Sequence, residues 1–196
     1  MLNSRKLLLT LSLLMGLTVI ISNFLVQYPI NYYGLQDTLT YGALSYPVTF
    51  LITDITNRAF GKSLARKVVV LGFSIGITIT LFVSTNFSDI ISIRIAIGSG
   101  FAFLVAQNLD IQIFDKLRKN KKWYVAPFIS SLIGSSIDTL LFFSIAFYGT
   151  GVPWVTLSLG DFFIKLLIAL TMLIPFRLLL SRVKDLSNKN MPYKIV

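Results

Sequence analysis

The sequence predicts an all-α, polytopic membrane protein with six transmembrane helices and both termini in the cytoplasm. Apolar runs follow one another along almost all of its 196 residues. Each run approaches the roughly 20 residues that a helix needs to cross about 30 Å of hydrocarbon. Composition agrees: 55% of the residues are hydrophobic and the mean hydropathy is +0.76, and no segment is left over for a soluble domain. Finally, Lys and Arg crowd alternate connections between the runs. Sixteen of the 18 lie there or at the chain ends, and the other three connections carry none; by the positive-inside rule the basic side is cytoplasmic.

The first predicted span, Leu7–Ile30, follows Arg5 and Lys6. It is too long for the h-region of a signal peptide, and no small-x-small cleavage pattern follows it. The second is Leu39–Asn57 and the third Val68–Thr85, joined by Arg58, Lys62, Arg66 and Lys67. The fourth, Ile90–Phe114, and the fifth, Trp123–Tyr148, are joined by Lys116, Arg118, Lys119, Lys121 and Lys122. The sixth, Pro153–Leu180, precedes a basic cytoplasmic tail over 181–196. The outer loops, Asn31–Thr38, Asn86–Asp89 and Gly149–Gly151, are short. Tyr32, Tyr33, Trp123, Tyr124 and Trp154 fall where amphipathic rings anchor at the interface. Pro47, Pro127 and Pro175 are expected to interrupt helices, and "GFSIG" (Gly72–Gly76) and "GSG" (Gly98–Gly100) to let helices approach closely.

Chemistry is narrowed by what is missing. There is no Cys and no His, and all eight acidic residues are Asp. Thiolate chemistry, disulfides and the commonest metal ligand are therefore out, and neither cofactor nor metal is expected. The net charge of +10 reads as topology and contact with anionic lipid, not as nucleic-acid binding. No G-x-x-x-x-G-K-[ST] loop occurs, so ATP use would need a partner.

Polar groups inside the spans mark the candidate site, because a charge at the bilayer centre costs about 2.5–3.5 kcal/mol on insertion scales. Asp138 lies 15 residues past Trp123 with no basic residue within a turn on its own helix. It must face a cavity or the bundle interior; the plainer reading is a helix–helix hydrogen bond worth roughly 0.6 kcal/mol. Asp161 and Lys165 are four apart, share a face and can neutralise each other during insertion. The same pair on a cavity wall can open to hold a polar substrate. Asp54 and Asp110 lie near cytoplasmic ends, within reach of Arg58, Lys116 or Arg118. Arg94 is placed to snorkel to the outer interface. Asn23 with Gln27, and Gln107 with Asp110, pair along helix faces. A faint echo relates "QNLDIQIF" (Gln107–Phe114) to "SSIDTLLF" (Ser135–Phe142) on oppositely directed helices, as an inverted repeat would.

Five blocks, "SNFLVQYPI", "GALSYPVTFLITDITNRAFGKSLARKVV", "AQNLDIQIFDKLRKNKKWYVAP", "SSIDTLLFFSIAF" and "LGDFFIKLLIAL", closely resemble the YhhQ-type queuosine precursor transporter family in order and spacing over about four-fifths of the chain. The resemblance implies a bacterial inner-membrane importer of 7-deazaguanine bases for queuosine modification of tRNA. The substrate is chiefly 7-cyano-7-deazaguanine (preQ0), with preQ1 or queuine in some members. The family often carries an amide shortly before the fifth-helix aspartate, where this chain has Ser135 and Ser136. On this resemblance Asp138 is expected to accept the base's N1–H and exocyclic amine in a bidentate bond. Gln107 or Asn23 would address the O6 or nitrile side. Phe142, Phe143 or Phe162 would stack on the ring. Asp161 and Lys165 would shape the site or couple ion movement, and Asp54 with Arg58 would form a cytoplasmic gate.

Six short-looped helices equally suit a transporter of another vitamin-like molecule, or the membrane subunit of an ATP-driven importer. An intramembrane aspartyl protease using Asp138 and Asp161 is the enzymatic alternative. "SLGD" lacks the first Gly of the G-x-G-D pattern and no tyrosine precedes Asp138, so no enzyme is expected. The partners expected are a small molecule and the lipid bilayer; oligomeric state is left open.

Overall fold

The computed structural model describes residues 4–25, 28–32, 34, 39–83 and 87–190, with only the backbone described for 4, 83 and 181–190. Gln27, Tyr33 and Asn86 lie outside the described residues. The described chain is helical: α1 Ser4–Leu25, α2 Tyr41–Ser45, α3 Val48–Phe60, α4 Lys62–Val83, α5 Ile90–Leu117, α6 Val125–Phe147 and α7 Trp154–Asn190. All but α2 and α3 are long and apolar enough to cross a bilayer. Leu13, Phe82, Phe101, Leu140, Phe163 and Ile174 are exposed, as a surface solvated by lipid chains requires, and polar side chains turn inward.

Contacts fix the helix directions. Met15 meets Gly72, Val19 meets Gly76 and Asn23 meets Thr80, at a constant offset of 57 residues, so α1 and α4 run in parallel. The α2–α3 segment must therefore return the chain to the end where α1 began, completing a sixth leg. Thr53 meets Gln107 and Asn57 meets Ile111, so α3 and α5 are also parallel. Gly98 lies against Phe142 and Ile145, and Gly134 against Ala106 and Asp110, so α5 and α6 are antiparallel. Short turns then bring the end of α7 to the same end of the bundle as the start of α1. Arg58, Lys62, Lys116 and Arg118 gather at this same end, called the basic end below.

The element boundaries differ from expectation for identifiable reasons. The second span is broken: Pro47 has no N–H and its ring collides with the carbonyl one turn earlier, so the helix stops at Ser45 and restarts at Val48. Pro127 and Pro175 do not interrupt helices. Pro127 sits in the first turn of α6, where its missing N–H would be unpaired anyway, and α7 continues past Pro175 to Asn190. The first helix, described to Leu25, does not reach Ile30, since Pro29 pairs as an isolated bridge with Thr40. The third starts at Lys62, not Val68. Gly61 at φ 86 is the lone residue between α3 and α4, a left-handed conformation that glycine adopts without strain. Asp89 caps α5, accepting from the Ile91 and Ser92 N–H groups at 3.0 and 3.2 Å.

Close approach of α1 and α4 depends on Gly72 and Gly76. A Cβ at Gly72 would lie 2.5 Å from the Met15 side chain, and one at Gly76 2.7 Å from Val19. At Gly98 the nearest contact would be an ordinary 3.4 Å, so the "GSG" motif is less tightly used. Around this seam Met15, Val19, Ala65, Val68, Val69, Phe103 and Ile111 form one apolar core. A second joins Phe114, Ala126, Phe176 and Leu180 near the basic end, with Trp123 packed on it. Trp123 is therefore held by protein packing, and the Arg177 guanidinium lies 5.0 Å from its ring.

Candidate functional site

Asp138, at the middle of α6, is 3% exposed. The partner that its own helix lacks comes from α7. Lys165 Nζ donates to Asp138 Oδ2 at 2.9 Å and lies 2.7 Å from Asp161 Oδ2, the expected i,i+4 pair. One ammonium thus bridges two carboxylates from two helices. Thr139 completes the cluster: its hydroxyl donates to Asp161 Oδ2 at 2.7 Å and accepts from Lys165 Nζ at 3.2 Å. The Lys165 ammonium also lies 5.4 Å from the centroid of the Tyr46 ring, in the range where the ring's negative face attracts a cation. Tyr46 is held here by the break at Pro47 and by an edge contact with Phe103 at 5.9 Å. An isolated buried pair is fragile, because desolvation opposes the Coulomb gain. Here three oxygen acceptors and a ring face satisfy a single ammonium that is itself 5% exposed.

A second acidic level lies nearer the basic end. Asp54 on α3 accepts from the Ser130 and Ser131 hydroxyls of α6, each at 3.3 Å. Asp110 on α5 faces Asp54. Ser131 and Asp138 are seven residues apart on α6, so the two levels are separated by about 10 Å at helical rise. A small cavity of about 20 Å³ lies against Asp54, Ser131 and Ser135, with Phe50, Ala169 and Phe176 among its walls. That is room for about one water.

The remaining candidates fall elsewhere. Gln107 is fully buried on the α3–α5 seam, where its Oε1 accepts from Thr53 at 2.6 Å and its Nε2 donates to Thr49 at 3.0 Å. Its amide is engaged in joining helices and is not aimed at Asp138. Asn23 donates to Thr80 at 3.2 Å and accepts from the Ser99 hydroxyl at 3.1 Å. Ser99 lies beside the Tyr46 hydroxyl, so Asn23 connects to the cluster at second hand. Arg58 does not pair with Asp54. Its guanidinium turns to the Arg118 carbonyl and closes the C-terminal end of α5. Arg118 in turn pairs with Asp115 at 3.3 Å, as does Lys62 at 3.2 Å. Among the described residues no ion pair joins Asp54 or Asp110 to Arg58, Lys116 or Arg118. Arg94 does not simply snorkel: its Nε and Nη2 donate to the Ile145 and Tyr148 carbonyls at 2.9 and 2.8 Å, capping α6. Phe142 and Phe143 pack edge to face on each other at 5.1 Å, and Phe162 packs on Phe163. The aromatic ring on the ion cluster is Tyr46. The sequence reading did not single out Tyr46, Thr139, Thr49, Thr53, Ser130 or Ser131. "VTFLITDITN" does carry a readable signal, since Thr49 and Thr53 are four apart on one helical face, with Thr56 and Asn57 a turn further on. No three metal-ligating side chains come together among the described residues.

Comparison with known proteins adds an independent line. Residues 40–180 match the family model described as "Putative vitamin uptake transporter". The chain is 34% identical to the "Queuosine precursor transporter" of Escherichia coli K12, over 94% of this chain and 93% of that protein. It is 37% identical to the "Probable queuosine precursor transporter" of Haemophilus influenzae, over 69% of this chain and 66% of the relative. A Bacillus subtilis protein with that same description is 28% identical over 79% of this chain and 76% of its own length. No solved structure matches.

Proposed function

The chain belongs to the vitamin uptake transporter family, and from that premise we propose that it imports queuosine precursors across the bacterial inner membrane. The favoured cargo is a 7-deazaguanine base, with preQ0 first. The basic end faces the cytoplasm, as the positive-inside rule asks. The carrying observation is the Asp138–Lys165–Asp161 cluster. Lys165 has two carboxylates to hold, so it can lean on Asp161 while Asp138 is released. A freed Asp138 accepts two adjacent donors, the N1–H and exocyclic amine of the base, in a charge-assisted bidentate bond. Tyr46 is better placed than Phe142, Phe143 or Phe162 to lie against the ring, since it already faces the ammonium that the base would displace. Asp138 and Lys165 are 3% and 5% exposed, so a base reaches them only when helices part. Alternating access of this kind exposes a central site to one side at a time. In this arrangement Gln107 and Asn23 support the walls of the site.

An ammonium stands between Asp138 and Asp161, which favours transport over a protease pair, whose two carboxylates share a proton. The test is queuosine in the tRNA of a strain that neither makes preQ0 nor has its own transporter, fed nanomolar preQ0. With the gene, queuosine returns. With Asp138→Asn at equal membrane abundance, it does not. Failure of the wild-type gene with preQ0, preQ1 and queuine alike would overturn the substrate class. Full uptake by Asp138→Asn would remove Asp138 from the site.

A further inference from the structure

The Asp54–Asp110 level is not used by the binding scheme above, yet among the described residues Asp110 alone has both side-chain oxygens buried without a well-formed hydrogen bond. Asp110 is 0% exposed, and its polar neighbours are Asp54 and Ser130. Asp54, 3% exposed, receives the hydroxyls of Ser130 and Ser131 and faces Asp110. Cations near this level are committed elsewhere. On α3, Arg58 turns to the Arg118 carbonyl. On α5, Arg118 is held by Asp115. On α4, Lys62 is held by Asp115. The α6 and α7 surfaces here offer Ser131, Ser135, Ala169, Met172, Leu173 and Phe176, none of which titrates. Lys165 is spent on Asp138 and Asp161. Two facing carboxylates without a counter-charge, out of water, cannot both stay ionised. A proton between them neutralises one and supplies a missing donor to the other.

We propose that Asp54 and Asp110 form a proton-binding site, and that loading and unloading it couples precursor movement to the proton gradient. The coupling half rests on the transport reading above; the proton-binding half does not. Asp54 lines the water-sized cavity, and that cavity also touches Ser135, three residues from Asp138 on α6. A shift of α6 that opens the binding cluster therefore changes solvation of the acid pair. The proton enters from outside and leaves toward the basic end, and no bond other than O–H is made or broken.

The chain has no Glu, so carboxyl-labelled aspartate reports every side-chain acid. In lipid vesicles at neutral pH, infrared spectroscopy should show the carbonyl stretch of a protonated carboxyl group. The stretch should shift with the label and vanish in Asp54→Asn/Asp110→Asn. No such band in the wild type, or one that survives in the double variant, overturns the site whether or not the variant transports. In the same vesicles, an inward gradient of one pH unit coupled one to one should sustain about tenfold preQ0 accumulation. The double variant should fall to no accumulation while keeping substrate exchange between equal pools. Unchanged gradient-driven accumulation in the variant overturns the coupling, as does accumulation driven by sodium alone. If the wild type carries no precursor, the proposed substrate falls, and the infrared result still decides the proton site.

Discussion

Lys165→Met is the most informative single perturbation, because it removes the one positive charge that serves two buried acids. The substitution keeps an unbranched apolar stem of similar length, so packing changes little. It deletes ion pairs of 2.9 and 2.7 Å and a hydrogen bond of 3.2 Å to Thr139. The cluster goes from one net negative charge to two, with no counter-charge in reach. Removing one partner of a buried pair costs about 3–5 kcal/mol, chiefly as the penalty of the stranded charge. For a chain of this size that is a fall of about 10 °C in apparent Tm. The assay is retention of monodisperse protein in detergent after heating, with queuosine recovery in cells alongside. Neutralising the stranded acids as well, in Lys165→Met/Asp138→Asn/Asp161→Asn, should recover most of the lost stability while leaving uptake at zero. If the triple variant melts as low as the single one, Lys165 acts through packing and the charge argument fails. If the single variant melts like the wild type, the cluster is not buried as described.

Other substitutions probe separate parts of the bundle. Gly72→Val places new carbon 2.5 Å from Met15 and 2.9 Å from the Ser12 carbonyl; about 1–3 kcal/mol should be lost to overpacking, whereas Gly98→Ala should melt within error of wild type. Gln107→Ala removes two buried hydrogen bonds, to Thr49 and Thr53, whose hydroxyls keep the Tyr46 and Thr49 carbonyls as acceptors, and should lower stability by about 1–3 kcal/mol for the two; uptake per folded molecule should fall less than in Asp138→Asn, and an equal fall would restore Gln107 to direct contact with the base. Arg94→Ala removes two charge-assisted bonds to the end of α6, so faster hydrogen exchange at Phe147 and Tyr148 is expected, with Arg94→Gln only partly protective. Asp89→Ala deletes the α5 cap and should cost about 1 kcal/mol, read as a small Tm shift with uptake intact.

Much of the architecture was legible in residue order because the bilayer imposes a length on each apolar run and lipid surrounds the outside. Six legs, and Asp138, Asp161 and Lys165 as inward-facing charges, follow from those two constraints. The boundaries were less legible. A hydropathy run does not register that Pro47 breaks a helix while Pro175 rides within one, since the outcome depends on whether neighbouring groups satisfy the freed carbonyl. Nor does it register that Gly61 alone turns α3 into α4.

Within the site, local spacing determined one contact: Asp161 and Lys165 meet because a helix places residues four apart on one face. Everything joining different helices was decided by the tertiary structure. Asp138 looked unpartnered along the chain and is held by a lysine 27 residues away. Arg58 looked like Asp54's partner and instead closes the end of α5, leaving Asp54 to face Asp110. The physical reason is the same in each case. Sequence sets which polar groups must escape lipid, and the packing geometry of α3, α5, α6 and α7 sets which of them find each other when they do.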